Sequence, residues 1–455
     1  MIPMKSLCHI AYLLLLFLSF TVFSAPIKQY KIVIDPGHGG SKQIPYEMYG
    51  DKYDIVTGKY LENYKSGAQF HDRTEMEIVM DLAREVQYIL DLTRTKRGFR
   101  KFKSYIKLFS RSDAPWIILH STLSRSDNFT DRNFREKDDK NAPYRMYDYP
   151  DFKTGILQKG RISKINEEKP ELVVSLHINS IGGYFQGMGV VLSPSYRTFE
   201  LLRKVSSGEE SVKTFYNTKW KNWMRFQAGW NTIENAMADA WIYFHGYWSD
   251  KSGTKADLKR FEGFRQNMIS WAYRDSPGWT NRINTPGPYA IKHEDFEATG
   301  PFWEREKSDL ELMRREDGPE GFGGDNHYAG MELLRFIQYG FRTEVQQNPH
   351  PSFESPDKIL PPFISTYSLP TFINGISAYL ELGNISSDKD MYFVQVKRRK
   401  MAISIAVGIY SLFQGLEVKN PDILYAPKGK KIDFSKYITD SGESYFKVVT
   451  KSSEN

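Results

Sequence analysis

The sequence predicts an α/β protein. Three β-rich runs each deliver a histidine or a glutamate beside glycines or small polar residues, and a regular amphipathic helix lies between the first two. In residues 31–40, KIVIDPGHGG, the branched Ile32, Val33 and Ile34 lead into Asp35, Pro36, Gly37 and His38. In residues 171–180, ELVVSLHINS, Leu172, Val173 and Val174 lead to His177. In residues 376–387, ISAYLELGNISS, the run reaches Glu381, and Gly383 follows. Open α/β sheets bind their ligands at the carboxyl ends of parallel strands, so donors at three such ends point to one edge of one sheet.

Each element has an ordinary reading beside a chemical one. Asp35, Pro36 and the glycines are common turn residues, and His38 could simply sit among them. The same glycines also let a metal or a substrate come close to an imidazole. His177 alone reads as a core histidine at a strand end, and Glu381 as a surface acid before a glycine turn. The helix is read from HDRTEMEIVMDLAREVQYIL, residues 71–90, where Ile78, Val79, Leu82, Val86, Ile89 and Leu90 form one apolar stripe. Glu75 stands three before Ile78 and seven before Leu82, on the buried face of the first turn. Asp72 and Glu75 also have capping-box spacing, with Asp in place of Ser or Thr. A core-facing carboxylate nevertheless needs a partner, and a cation supplies one. Glu77 is the alternative acid, but it points about 200° away, toward the polar side.

Two histidines and one carboxylate leave a fourth zinc position open, which is the donor set of a catalytic zinc site rather than a closed structural one. Zinc in such a site lowers the pKa of water to roughly 7 and polarises a carbonyl. A second carboxylate outside the donor set can then take a proton and hand it to a leaving amine. Glu381 fits that role.

The ordered set IVIDPGHGG, TEMEIVMDLAREV, LVVSLHINS and AYLELGNIS resembles the signature of zinc-dependent N-acetylmuramoyl-L-alanine amidases of the amidase-3 type, which are bacterial cell-wall hydrolases. The resemblance implies His38, Glu75 and His177 as zinc ligands and Glu381 as the catalytic acid/base. It implies a fold with a central mixed sheet flanked by helices. HSTLSRSDNF (120–129), with Arg125 and Asp127, resembles a recurrent strand of the family, Arg161 a recurrent arginine, and KRRKMAISIAVGIYSLF (397–413) its closing helix. The likeness covers 27–195 and 355–415. It departs from the family where 37 positions separate His38 from Glu75, through a tyrosine-rich YEMYGDKYDIVTGKYLENY, and again at about 133–158.

Length and composition set the wider frame. The chain has 455 residues, enough for two units at roughly 100–200 residues per domain. Lys5 followed by an uncharged apolar run from Ile10 to Phe23 has the order of a secretory signal peptide over 1–24, with Ala25 as the first mature residue. The run is short against the ~20 residues of a membrane span, and an uncleaved anchor is the alternative. Cys8, the one cysteine, lies in this segment, so no disulfide is expected to stabilise the mature chain. A net charge of +7 spread along the chain, without a nucleic-acid motif, suits an anionic envelope polymer better than DNA or RNA.

Residues 25–195 and 355–426 are therefore expected to form a discontinuous catalytic domain. Residues 196–354 are expected to be a large, mostly helical, aromatic-rich insertion covering the cleft, either as a lid or as a substrate platform carrying Trp220, Trp223 and Trp230. Within it Asp325 reads as an N-cap, or Asp325, Asn326 and His327 as a polar loop facing the cleft. Residues 427–455 read as a weakly ordered polar tail. The expected activity is hydrolysis of the amide between N-acetylmuramic acid and L-alanine, with Zn2+ as cofactor. Peptidoglycan is the expected substrate, a protein activator is allowed for, and no nucleic acid is involved. The protein is expected to be a monomer exported to the periplasm or cell envelope. The alternatives are a zinc peptidase on another envelope peptide and a non-catalytic envelope-binding protein.

Overall fold

The computed structural model describes residues 26–39, 67–126, 157–180, 186–193, 305–347, 358–364 and 368–451, with a few isolated positions between them. The 1–24 leader, Asp127 and the tryptophans of 218–250 lie outside the described residues.

Six strands form one mixed sheet: β1 (Gln29–Pro36), β2 (Ile118–Leu123), β3 (Leu172–Asn179), β4 (Gly189–Leu192), β5 (Phe363–Ile364) and β6 (Ile376–Asn384). Their spatial order is β5-β4-β6-β3-β1-β2. β2, β1, β3 and β6 run parallel, β4 is antiparallel to β6, and β5 is parallel to β4. β1 from Ile32 onward, β3 and β6 are buried almost without interruption, as parallel strands covered on both faces must be. That is why their sequences read as nearly continuous apolar runs rather than alternating ones. The register puts Ile34 beside Val174, Val174 beside Ala378, and His177 beside Glu381, so the three predicted strand ends share one edge.

Helices cover the sheet. α1 (Glu75–Asp91) buries the predicted stripe and packs against β1, β2 and β3. α2 (Lys96–Phe109) follows it, held through Phe99, Phe102, Ile106 and Phe109. α3 (Arg161–Glu168) leads into β3. Farther along come α4 (Asp309–Arg315), α5 (Gly324–Gln347), the short α6 (Ser368–Phe372), α7 (Asp388–Gln395), α8 (Arg398–Gln414) and α9 (Tyr445–Lys451). Among the described residues, no helix is long and apolar enough to cross a membrane.

Two expectations about layout are corrected. Residues 305–347, the described part of the expected 196–354 insertion, belong to the main body and do not cover the cleft; the bulk of 199–304 lies outside the described residues. α5 packs against β4, β6 and α8 and buries Leu333, Leu334, Phe336, Ile337 and Phe341. Ahead of it, the fully buried Arg305, Glu306, Glu311, Arg314 and Arg315 pair with one another. Arg314 also donates to the carbonyl of Gly375 at 2.7 Å, and Arg305 to Asn374 Oδ1 at 2.8 Å. These acceptors precede β6, so the cluster sits at the amino edge of the sheet, opposite His177 and Glu381. Paired charges satisfied this way can be buried; single ones could not.

Residues 427–451 of the expected tail are not loose either. Tyr437, Tyr445 and Phe446 are buried, and Phe434 stacks on Phe413 at 5.0 Å. Tyr437 donates to Asp325 Oδ2 at 2.8 Å, and Tyr445 to the carbonyl of Arg305 at 3.0 Å. Four aromatic anchors outweigh a Lys/Ser-rich composition.

Candidate metal centre

The site begins at a buried acid that the turn-residue reading left unexplained. Asp35, the penultimate residue of β1, is fully buried. It accepts hydrogen bonds from Ser175 Oγ on β3 at 2.7 Å, from Arg161 at 3.1 Å and from the Ser124 hydroxyl just past β2. Arg125, also buried, donates to the carbonyls of Pro36 and Gly37 at 2.9 Å and of Met76 at 2.8 Å. One guanidinium thereby ties the loop after β1 to the first turn of α1. Arg161 adds a bond to the Pro36 carbonyl at 3.1 Å. Both arginines flagged in the sequence lie beneath the site rather than in it.

On this base stand the histidines and Glu75. His38 adopts φ 60°, in the left-handed region. Gly37 precedes it because a side chain there would place its Cβ 2.3 Å from the His177 ring. Gly67, at φ 77°, is required in the same way, since a Cβ would lie 2.5 Å from Glu75 Oε2. Glu75 opens α1, and its Oε2 accepts from the Ala68 N–H at 3.1 Å. Its Oε1 accepts from the Ile178 N–H at 2.8 Å and lies 3.0 Å from His38 Nε2 and 3.2 Å from His177 Nδ1. One ligand atom from each of His38, Glu75 and His177 falls within 4.8 Å of the others. The expected Asp72–Glu75 capping box is replaced by one a step or two along: Glu77 accepts from the Thr74 N–H at 2.8 Å and from its hydroxyl at 2.9 Å. That occupies Glu77 and leaves Glu75 for the cluster.

Electrostatics separate the roles. Burial alone would raise the Glu75 carboxyl, but hydrogen bonds from His177 and His38 outweigh it and hold the group well below the usual carboxylate range. Burial lowers His177, against the pull of Glu75, so its ring is neutral at pH 7 and able to donate a lone pair. The ring stacks on Tyr379 at 4.3 Å and meets His38 edge-on at 4.8 Å. Glu381, opposite His177 on β6, is raised well above the usual range by burial and by the Glu75 carboxylate. Its buried Oε2 has no hydrogen-bond partner among the described residues. A converging His–Glu–His donor set beside an orphaned carboxyl oxygen fits a divalent cation with its substrate.

The structure brings His38, Glu75, His177 and Glu381 to one edge, but it removes Asp325, Asn326 and His327 from it. They lie in the first turn of α5, where Asn326 Oδ1 accepts from the Ser377 N–H at 2.9 Å near the start of β6. His327 is buried, with Nδ1 2.8 Å from the Phe322 carbonyl. Sequence reading missed the roles of Asp35, Ser124, Ser175 and Tyr379. The one signal available was an acid and a serine at the ends of otherwise apolar strands.

No protein-family model and no curated protein matches this chain. Solved structures do. The chain is similar to N-acetylmuramoyl-L-alanine amidases. One is AmiC2 of Nostoc punctiforme, at 11% identity, with 84% of this chain and 94% of that one covered and a TM-score of 0.31. Another is Ami1 from Mycobacterium smegmatis, at 10% identity, with 84% and 96% covered and a TM-score of 0.34. A third is the CwlD amidase from Clostridioides difficile in complex with the GerS lipoprotein, at 11% identity, with 84% and 96% covered and a TM-score of 0.30.

Proposed function

We propose that this chain is an exported zinc amidase that hydrolyses the bond between the lactyl group of N-acetylmuramic acid and L-alanine in peptidoglycan. The observation that carries the reading is the convergence of His38, Glu75 and His177 within 4.8 Å, next to the buried Oε2 of Glu381, which has no hydrogen-bond partner among the described residues. The substrate class rests on the resemblance of the four ordered motifs. His38, Glu75 and His177 hold the metal, which when bound supplies a Lewis acid for water and carbonyl. Glu381 moves the proton: its Oε2 takes it from the attacking water and returns it to the departing alanine nitrogen. Burial and the Glu75 carboxylate raise its pKa above the usual carboxylate range, which suits the second half of that transfer, when the carboxyl carries the proton. Arg125 and Asp35 keep the His38 loop in place and touch no substrate. A protein activator is compatible with this arrangement, and monomeric action suffices for it.

Digestion of purified peptidoglycan, with mass analysis of the released products, tests the reading. Free stem peptides beginning at L-alanine are expected. Peptides beginning farther along the stem would make the chain a zinc peptidase, and no release by zinc-loaded protein would make it a binding protein.

A further inference from the structure

α2 carries charge that neither the fold nor the metal site uses. Between Leu92 and Ser112 the chain has eight Lys and Arg and no acid. The helix buries Phe99, Phe102, Ile106 and Phe109, which fixes its opposite side outward. At 100° per residue, Arg97, Lys101, Ser104 and Leu108 fall on one stripe. Lys96, Arg100 and Lys107 fall on the adjacent one. All seven are exposed. Lys103 is paired with Asp113, but Lys96, Arg97, Arg100 and Lys101 have no acidic partner among the described residues. Like charges three and four positions apart weaken a helix, so this pattern carries a standing cost to the free protein. A surface of opposite charge removes it.

The patch is not purely cationic. Leu108 is 55% exposed at its end, and Tyr88 of α1, 52% exposed, stands alongside, held through Arg399, whose guanidinium lies over both Tyr88 and Tyr105. An exposed leucine on the cationic helix, with exposed Tyr88 beside Arg399, itself paired with Glu85, matches the interface of an anionic bilayer, where cations meet headgroups and the apolar groups enter the boundary beneath them. A soluble polyanion would satisfy the cations and leave Leu108 and Tyr88 without a role.

We infer that the outer face of α2 docks the protein on an anionic lipid surface, independently of the chemistry at His38, Glu75 and His177. Sedimentation of the chain with phosphatidylglycerol-containing vesicles and with pure phosphatidylcholine vesicles tests this. Binding is expected to the anionic vesicles beyond the neutral baseline, and to fall steeply with added salt. The triple variant Arg97→Gln/Arg100→Gln/Lys101→Gln should bind them at least about tenfold more weakly. Circular dichroism should show the triple variant folded, and its hydrolysis of soluble muropeptides should be unchanged. A second, single variant, Leu108→Gln, should weaken vesicle binding while leaving retention on a heparin column intact. Equal binding to both vesicle types, or undiminished binding by the triple variant, would overturn the inference. Retention on heparin without any vesicle binding would also overturn it, and would assign the face to a soluble polyanion.

Discussion

Glu381 lies directly opposite His177 across the parallel pair of β6 and β3, with its Oε2 buried and without a hydrogen-bond partner among the described residues. Just past the end of β1, Gly37 donates its backbone N–H to the Leu176 carbonyl at 2.9 Å. The proposed proton carrier and a proposed metal ligand thus stand on adjacent strands, and substitution can separate them. Glu381→Gln keeps the shape and loses the proton transfer. Turnover of wall fragments should fall by about 10²–10⁴-fold with metal content unchanged. Loss of metal in this variant would instead place Glu381 among the ligands.

Gly37→Ala is expected to damage the site more than the fold. Its new Cβ would meet the His177 ring at 2.3 Å, closer than atoms can approach, so the ring or the His38 loop must move. Competition with a chromogenic chelator should show weaker metal binding, while far-ultraviolet circular dichroism stays that of the parent. Unchanged affinity would mean that the close approach does not constrain the ring.

Arg125→Met should cost stability. It strips hydrogen bonds from three carbonyls, those of Pro36, Gly37 and Met76, in a buried setting. The Pro36 carbonyl keeps its bond from Arg161 and Met76 lies within the α1 ladder, so Gly37 is left most exposed to the loss, and at about 1–3 kcal/mol for an unsatisfied buried group a loss of that order is expected in urea unfolding. Arg125→Lys should recover only part of it, since one ammonium does not reproduce the planar fork.

His327 gives the fold an acid-sensitive component. Burial lowers its pKa from 6.5 to about 4. Between those values the unfolded chain binds the proton and the folded chain does not, so stability is full above about pH 6.5 and declines as pH falls toward 4. The component is worth up to roughly 3 kcal/mol. Denaturant unfolding at pH 7 and pH 4.5 should show it, and His327→Gln should flatten the difference. An unaltered slope in that variant would assign the acid sensitivity to other groups.

Chelation should remove activity and leave the protein folded. The core runs continuously from Ile32 on β1 through α5 and α8 to Phe446, and none of that burial depends on the metal. Thermal unfolding with and without chelator should show one cooperative transition in both cases. Collapse of the fold on chelation would make the site structural.

The parts legible in the sequence were those where a period or a run carries the information. Buried parallel strands are continuous apolar stretches, so β1, β3 and β6 could be read with the donors at their ends. The 3.6-residue stripe of α1 placed Glu75 inward and Glu77 outward. Local competition among acids was not legible: Asp72, Glu75 and Glu77 all suit a helix start, and only the packed geometry gives the capping role to Glu77. A helix after Asp325 was readable, but not that α5 belongs to the main body, because a helix buried on most sides has no clean polar face and the glycines before it look like the edge of a separate loop. The C-terminal segment was misjudged because average composition hides a few anchors such as Tyr437 and Phe446. Asp35 could not be told from a turn residue, since its partners Ser124, Arg161 and Ser175 are 89, 126 and 140 positions away.

The central claim is that His38, Glu75 and His177 form one zinc centre. Elemental analysis of the purified protein, beside His38→Ala, Glu75→Ala and His177→Ala, tests it most directly. About one zinc per chain is expected in the parent and a large loss in each variant, with the variants still folded by circular dichroism. A parent protein that holds no zinc and takes up none on reconstitution, or variants that keep it in full, would contradict the account.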